Sequence, residues 1–583
     1  MKKLLLLTAM LATSVWLLAQ GNTWQTATLI SSGATKTGTL DNNNTEDWYK
    51  INVTTEGSVK LVVTPSGNLT LSGSSAISGI NNNSLNTRAY FTAQSSGSST
   101  LACEVVDAGK GTYYIRLLRS GGNGGYTLKY TFTQCPLSND PEENDVYEHA
   151  SLLETGVVQG RLGYKTSEGV VDNYDWYKIV VPEEGQVELS MTPTANLTFS
   201  GNSSISGLSN NSLYTRAYFF PDTTGSTTYT CKVIDVGKGT YYVRILRYGG
   251  NGGYTLRYTF RSCSLSADPE PNDDYQHASL LQPGVVQGRL GYRTSEGVTD
   301  TDDWYKIVVP EEGQVELTVI PNGNLTFTGS SNINGFANNG LYNRAYFTPK
   351  SSGSTTYTCK VTDAGTGTYY IRIYRSGGSD GYTLTYTFTP CPLRNDLEPN
   401  DEYEHASWLK SGRTQQGRLG YRTSDGVTDI YDWYKITVTK AGPVEIIITP
   451  TDNLTFSTSS NVNVVNGNSL SNVGYFSPKA SGSTTLIFQK NELAAGTYYV
   501  RVYRYGGNSG YRVRYNGPTI TGDVDGDGRL SIGDVTDIIG YLLGGNNPSF
   551  AIGDSDLDGD GRINIGDVTD LIELLLSPDE VIN

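Results

Sequence analysis

An Asp-Trp-Tyr-Lys-Ile string recurs four times, beginning at Asp47, Asp175, Asp303 and Asp432, with a period near 128 residues. No other feature constrains the fold as much, because self-similarity at a fixed period divides the chain before any local reading begins. Other landmarks keep step: Asn-Leu-Thr at Asn68, Asn196, Asn324 and Asn453, and Gly-Thr-Tyr-Tyr at Gly111, Gly239, Gly367 and Gly496. A period of this length is a whole domain and not one turn of a solenoid. The segments between landmarks are short, rich in Tyr, Thr, Val and Ile, and punctuated by Gly and Asn, which predicts antiparallel β-sandwiches. The fold class expected is mainly β, with four tandem β-sandwich domains over residues 20–134, 135–262, 263–390 and 391–516 and a small all-α domain over 517–583.

Alternation within Tyr113-Tyr114-Ile115-Arg116-Leu117 assigns Tyr113, Ile115 and Leu117 to one face of a strand and Tyr114 and Arg116 to the other. The pairs Tyr114 and Arg116, Tyr242 and Arg244, Tyr370 and Arg372, and Tyr499 and Arg501 are therefore candidate ligand-binding residues, as exposed tyrosines able to stack on sugar rings or grip fibrous protein. Ordinary cross-strand pairing is the alternative.

The tail carries two near-copies of an acidic loop 33 residues apart. Asp523, Asp525 and Asp527, and again Asp556, Asp558 and Asp560, fall at loop positions 1, 3 and 5. Arg529 and Arg562 supply carbonyls at position 7, Ser531 and Asn564 a direct or water-mediated contact at position 9, and Asp534 and Asp567 close the loops at position 12. Gly528 and Gly561 stand where the turn requires glycine. Such a set suits calcium. Gly517 and Pro518 leave no room for an incoming helix before the first loop, so each loop has only an exit helix, with stripes Val535, Ile538, Ile539, Leu542 and Val568, Leu571, Ile572, Leu575. A duplicated loop and exit helix of this kind resembles the dockerin type I module. The resemblance implies docking to a cohesin-type domain on another chain, with selectivity at Ile532, Gly533, Ile565 and Gly566 and along the helices at Ile539, Gly540, Ile572 and Glu573.

A second acidic pattern marks the domain entrances: Asp140 to Asp145, Asp268 to Asp273 and Asp396 to Asp401, each followed about thirty residues later by a pair of aspartates. The first domain has no acidic entrance, and Asn44 takes the place of the earlier aspartate; two features that vanish together are expected to touch. The Glu-Pro-Asn-Asp entrance, the Asp-Trp-Tyr strand and the closing Gly-Tyr-Thr-Leu strand resemble the bacterial pre-peptidase C-terminal domain, some of whose members hold calcium at the entrance. Carried over, the resemblance implies a second class of metal ligands: Glu142, Asn144, Asp145, Asp172 and Asp175; Glu270, Asn272, Asp273, Asp300 and Asp303; Glu398, Asn400, Asp401, Asp429 and Asp432.

Met1-Lys2-Lys3 and the apolar run to Leu18 read as a signal peptide over residues 1–19, so the protein is expected to be secreted, and no later stretch is apolar enough to span a membrane. In that compartment the six cysteines, equally spaced as Cys103 and Cys135, Cys231 and Cys263, and Cys359 and Cys391, are expected to form three disulfides. A net charge of -15 argues against nucleic acid as a partner. His149, His277 and His405 repeat at one spacing and are expected to be structural, and no zinc, nucleophile-elbow or phosphate-loop motif is present. The reading is a secreted, non-catalytic, multimodular protein that binds calcium, docks to a cohesin-type partner and uses its repeats to bind a carbohydrate or protein polymer or as spacers in extracellular degradation of such polymers. The alternative is a secreted hydrolase with an active site hidden in one repeat.

Overall fold

The structure is a computed structural model that describes residues 21–137, 140–263, 265, 268–393, 395–527, 529–545 and 555–576. The expected signal peptide and Gly528 lie outside the described residues. The chain divides into two compact units, Met1–Ser264 with Gly291–Asp300, and Leu265–Leu290 with Thr301–Asn583.

Each repeat is a pair of sheets. In the first, one sheet runs β1 (Thr28–Leu29), β3 (Glu46–Val53), β10 (Gly111–Gly121), β6 (Ala76–Asn81), β7 (Ser84–Tyr90), with β5 (Thr70–Leu71) also on β10; the other runs β2 (Thr35–Leu40), β11 (Gly124–Gln134), β4 (Gly57–Pro65), β9 (Leu101–Ala108), β8 (Thr92–Ala93). The same order recurs in the other three repeats. Pairing is antiparallel except at the start, where β1 lies parallel to β3. Period-2 alternation decides which face is core: Tyr113, Ile115 and Leu117 are fully buried, as are Tyr49 and Ile51 opposite them. Every repeat closes its own apolar cluster, centred on residues such as Ile51 and Leu61, Ile179 and Leu189, Ile307 and Leu317, and Ile436 and Ile446.

In the tail, α1 (Ile532–Leu542) and α2 (Ile565–Leu576) pack through Val535, Ile538, Val568 and Leu571, joined by Val524 from the first loop. Val535 and Ile538 of the first stripe and Val568, Leu571 and Leu575 of the second turn inward. Ile539 and Ile572, assigned to the same stripes, remain exposed.

The expected disulfides are corrected by strand register. Cys103 stands opposite Leu61 on β4, whereas the Cys135 N–H donates to the Glu56 carbonyl, five residues back along the same extended chain. That is about 16 Å at the rise of a strand, well past the roughly 7 Å between Cα atoms that a disulfide can span. Cys231 opposite Leu189 with Cys263 on Glu184, and Cys359 opposite Leu317 with Cys391 on Glu312, repeat this separation, and none of the three pairs is bridged. The two members have separate surroundings: Cys103 is buried against the backbone of Ile77, with its thiol pushed up to about 12, while Cys135 meets the Tyr164 hydroxyl.

Candidate metal centres

In the second repeat the Trp176 N–H donates to the Asn144 carbonyl at 2.8 Å, which lays the acidic entrance along the Asp-Trp-Tyr strand. Trp304 with Asn272 and Trp433 with Asn400 make the same 2.8 Å bond. This backbone clamp carries the Asn144 side chain to full burial with neither its Oδ1 nor its Nδ2 partnered. Asp140, Glu142 and Asp172 bring carboxylate oxygens within 4.8 Å of one another. Asp175, wholly buried beside them, accepts from the Tyr254 hydroxyl at 2.5 Å through Oδ2 and has no donor at Oδ1; Asp172 Oδ1 also has none.

Arg161 pairs with Asp140 at 3.2 Å and offsets only part of the negative charge. Burial, then the neighbouring carboxylates, pushes Asp172 up to about 11, and Asp175 well above the carboxylate range. Burial likewise raises Glu142 to about 7 and, against the pull of Arg161, Asp140 to about 6. Orphaned buried oxygens, all from carboxylates or an amide, fit a hard divalent cation and suit calcium better than zinc.

The other entrances repeat the set. Asp268, Glu270 and Asp303 group in the third repeat, and Asp396, Glu398 and Asp432 in the fourth, again within 4.8 Å. Asp303 Oδ1, Asp429 Oδ1, Asp432 Oδ1 and both side-chain atoms of Asn272 and Asn400 are buried without partners. Burial lifts Asp396 to about 7 and Asp429 to about 9. Asp145, Asp273 and Asp401 lie on the exposed rim, each raised by burial first. Asp300 pairs its backbone with Gly291 and Tyr292 at the base of its loop.

The first repeat lacks this chemistry. Asn44 Nδ2 donates to Asp47 Oδ1 at 3.0 Å, filling with an amide the place that is orphaned in the others, and Gly21 offers the carbonyl to Trp48 in place of an asparagine.

Sequence reasoning passed over two parts of the site. Asp140, Asp268 and Asp396 join the clusters although the resemblance assigned only their followers; the signal was their recurrence at the first place of each entrance. Behind the buried aspartates stands a pair of phenols: Tyr177 and Tyr254 at 2.8 Å, Tyr305 and Tyr382 at 2.7 Å, Tyr434 and Tyr511 at 2.8 Å, Tyr49 and Tyr126 at 2.6 Å. One member of each pair comes from each sheet. Gly160 permits the pair, since a Cβ there would lie 2.4 Å from the Tyr254 hydroxyl.

In the tail, Asp523, Asp525 and Asp534 converge in the first loop, and Asp556, Asp558 and Asp560 in the second. The closing residues organise the backbone. Asp534 accepts from the N–H groups of Val524 (2.8 Å), Asp525 (3.1 Å) and Ser531 (2.8 Å), and Asp567 from those of Leu557 (2.7 Å) and Asn564 (2.8 Å). Asp527 accepts from the Arg529 N–H and Asp560 from that of Arg562, each at 2.8 Å. Ser531 Oγ and Asn564 Oδ1 accept from Gly533 and Gly566, starting the helices, and Asp556 Oδ1 is buried without a donor. Ile532 and Ile565 project at 71% and 70% exposure, so the two copies present equivalent apolar residues outward.

The tyrosine and arginine pairs are half-buried, and in the fourth repeat Arg501 lines a surface pocket with Tyr403, Tyr431 and Trp433. They lie on the sheet face that alternation gave them, and the segment leading into each repeat packs against the tyrosines. Tyr114 meets Trp24 edge-on at 5.4 Å, Tyr242 meets Tyr147 at 5.6 Å, Tyr370 meets Tyr275 at 5.7 Å and Tyr499 meets Tyr403 at 5.6 Å. Arg116, Arg244, Arg372 and Arg501 lie over Trp48, Trp176, Trp304 and Trp433 at 5.6 to 5.7 Å. His277 meets Asp274 at 2.9 Å, and His149 and His405 are exposed at the ends of short helical turns.

Residues 521–576 match the dockerin type I domain family; dockerin type I domains bind calcium and dock to cohesins. Among solved structures, the chain is similar to the pre-peptidase C-terminal domain of a collagenase from Bacillus anthracis, at 20% identity over 18% of this chain and 94% of that one, with a TM-score of 0.16. It is also similar to a Paenibacillus xanthan lyase, at 11% identity over 83% of this chain and 56% of that one, with a TM-score of 0.14. Among the described residues no helix is long and apolar enough to cross a membrane.

Proposed function

We propose that this is an exported, non-catalytic docking protein whose tail, loaded with two calcium ions, seats in a cohesin-type domain and carries four β-sandwich repeats into an extracellular complex that degrades polysaccharide or protein. The observation that carries this reading is the duplicated loop in which Asp534 and Asp567 grip the backbone around converging aspartates while Ile532 and Ile565 stand exposed on the two helix starts. The basic N-terminus and the apolar run behind it support export. Calcium at the entrances of the second, third and fourth repeats is supported by the orphaned oxygens of Asn144, Asp172, Asp175, Asp303 and Asp432. The half-buried tyrosines favour a spacer role for the repeats over sugar recognition by that face.

Calorimetric titration of the full chain with calcium tests the metal assignment. Two ions for the tail and at least one for each of three entrances are expected; a total of two would confine calcium to the tail. Capture on immobilised cohesin modules tests docking, with retention expected in calcium, release in chelator, and loss in an Ile532→Asp, Ile565→Asp variant. Retention by that variant would move the docking face elsewhere.

A further inference from the structure

More than the chain between them joins the first two repeats. The carbonyl of Lys165, in the loop 163–172 of the second repeat, accepts from the Gly109 N–H (2.8 Å), the Tyr113 hydroxyl (2.8 Å) and Arg88 Nη1 (2.9 Å) of the first. Ser167 fills space that only glycine leaves: a Cβ on Gly79 would lie 1.8 Å from its carbonyl oxygen, and one on Gly111 2.0 Å from its Oγ. Arg161 reaches back to Glu56 at 2.9 Å. In the second unit Arg422 is held in the same way by Gly365 (2.8 Å), Tyr369 (2.7 Å) and Arg344 (3.0 Å), Ser424 sits against Gly335 and Gly367, and Arg418 pairs with Glu312 at 2.8 Å. Within the first unit, the Arg293 carbonyl receives the same donors from Gly237, Tyr241 and Arg216.

The fourth repeat has the same strands but not the same leaving face. Strand register puts Val464 where the first repeat has Gly79, Val473 where it has Arg88, Ala494 where it has Gly109, and Ala441 where it has Glu56. Val464 and Val473 pack back on the fourth repeat's own core. The first repeat is complementary in its defect. Only six residues separate Leu40 from Asp47, against twelve between Leu162 and Asp175, and Thr39 replaces Arg161, so it has no loop to insert.

We propose that these four positions decide whether the leaving face of a repeat accepts a further repeat or ends the array. Glutamate, arginine and two glycines make a socket for the loop of a following copy; alanine, two valines and a second alanine close it. The order and number of repeats are thereby written into the faces and not only into the connecting chain, and a heterologous surface that could otherwise propagate end to end is closed at the last copy.

The fourth repeat supplies the design of the test, because it folds with the closing residues in place. In the full chain, Glu56→Ala, Gly79→Val, Arg88→Val and Gly109→Ala convert the first face to the terminal type. Limited trypsinolysis in calcium, with new N-termini read by mass spectrometry, then compares Lys165–Thr166 with Arg422–Thr423. Several-fold faster cleavage after Lys165 with unchanged cleavage after Arg422 is expected. The reciprocal variant, Glu312→Ala, Gly335→Val, Arg344→Val and Gly365→Ala, is expected to reverse the pattern. Ser167→Phe, which leaves the first repeat's sequence intact, is expected to expose Lys165 alone. Cleavage of both peptides at wild-type rates in both converted chains, or of both together in either, would overturn the proposal, as would rapid cleavage after Lys165 in the unaltered protein.

Discussion

Asn44 donates its side-chain amide to Asp47 at 3.0 Å, and by doing so satisfies the one oxygen that Asp175, Asp303 and Asp432 leave without a donor. The four repeats therefore contain their own control. Where an amide can reach the buried carboxylate no acidic entrance is found, and where an aspartate replaces the amide the entrance brings further oxygens.

Asp172→Asn is expected to convert the second repeat toward the first. The new amide supplies a fixed donor for Asp175 and replaces a carboxyl that is tolerated there only while protonated, so in chelator the variant gains about 1–3 kcal/mol, the cost of one unsatisfied buried group. Calcium titration should show a lower stoichiometry than the parent, and a parent-like stoichiometry would exclude Asp172 as a ligand.

The pH response should change sign with calcium. In chelator the entrance carboxyls are held above their unfolded values near 4, with Glu142 and Asp396 at about 7, Asp429 at about 9 and Asp172 at about 11. A raised acid is tolerated while protonated and costs stability as the pH rises through its folded value. Thermal melts in chelator are therefore expected to fall from pH 5 to pH 9. With calcium present the ionised forms are the ones bound, and calcium affinity is expected to drop between pH 8 and pH 6 as Glu142 and Asp396 take up protons.

The tail is expected to depend on calcium for its order. Three carboxylates crowd each loop, and among the described residues a small cluster holds the helices together: Val524, Val535, Ile538, Val568 and Leu571, with Leu530, Leu557, Ile563 and Leu575 partly buried against it. Hydrogen exchange of the full chain should show protection of α1 and α2 in calcium that is lost in chelator, while β10 and its counterparts stay protected. Equal protection of the helices in both conditions would refute this.

All six cysteines should alkylate in denaturant without prior reduction, because register keeps each same-repeat pair apart. A mass short by three pairs of adducts would restore the disulfides.

Much of this architecture was legible in sequence because its signals are local. Alternation in Tyr113 to Leu117 fixes a strand's faces whatever lies beyond it, and the spacing of Asp556, Asp558, Asp560 and Asp567 is that of a loop that folds on itself. What could not be read depends on which strands become neighbours. Cys103 and Cys135 share one spacing in every copy, yet their separation is set by where each falls along β4. Tyr114 looks free until the turn Trp24–Thr26 is laid across it. Tyr254 gives no sign in the sequence that it will meet Tyr177 from the opposite sheet and Asp175 behind it.

That meeting of phenols bears on how a repeat answers force. Apolar side chains let two sheets creep past one another, since the dispersion attraction given up on one side is recovered on the other. A directional 2.8 Å bond between Tyr177 and Tyr254 has no such neighbouring position to move to. Each sandwich is pinned against shear at this buried pair, which lies directly behind the acidic entrance through which the chain enters the second, third and fourth repeats.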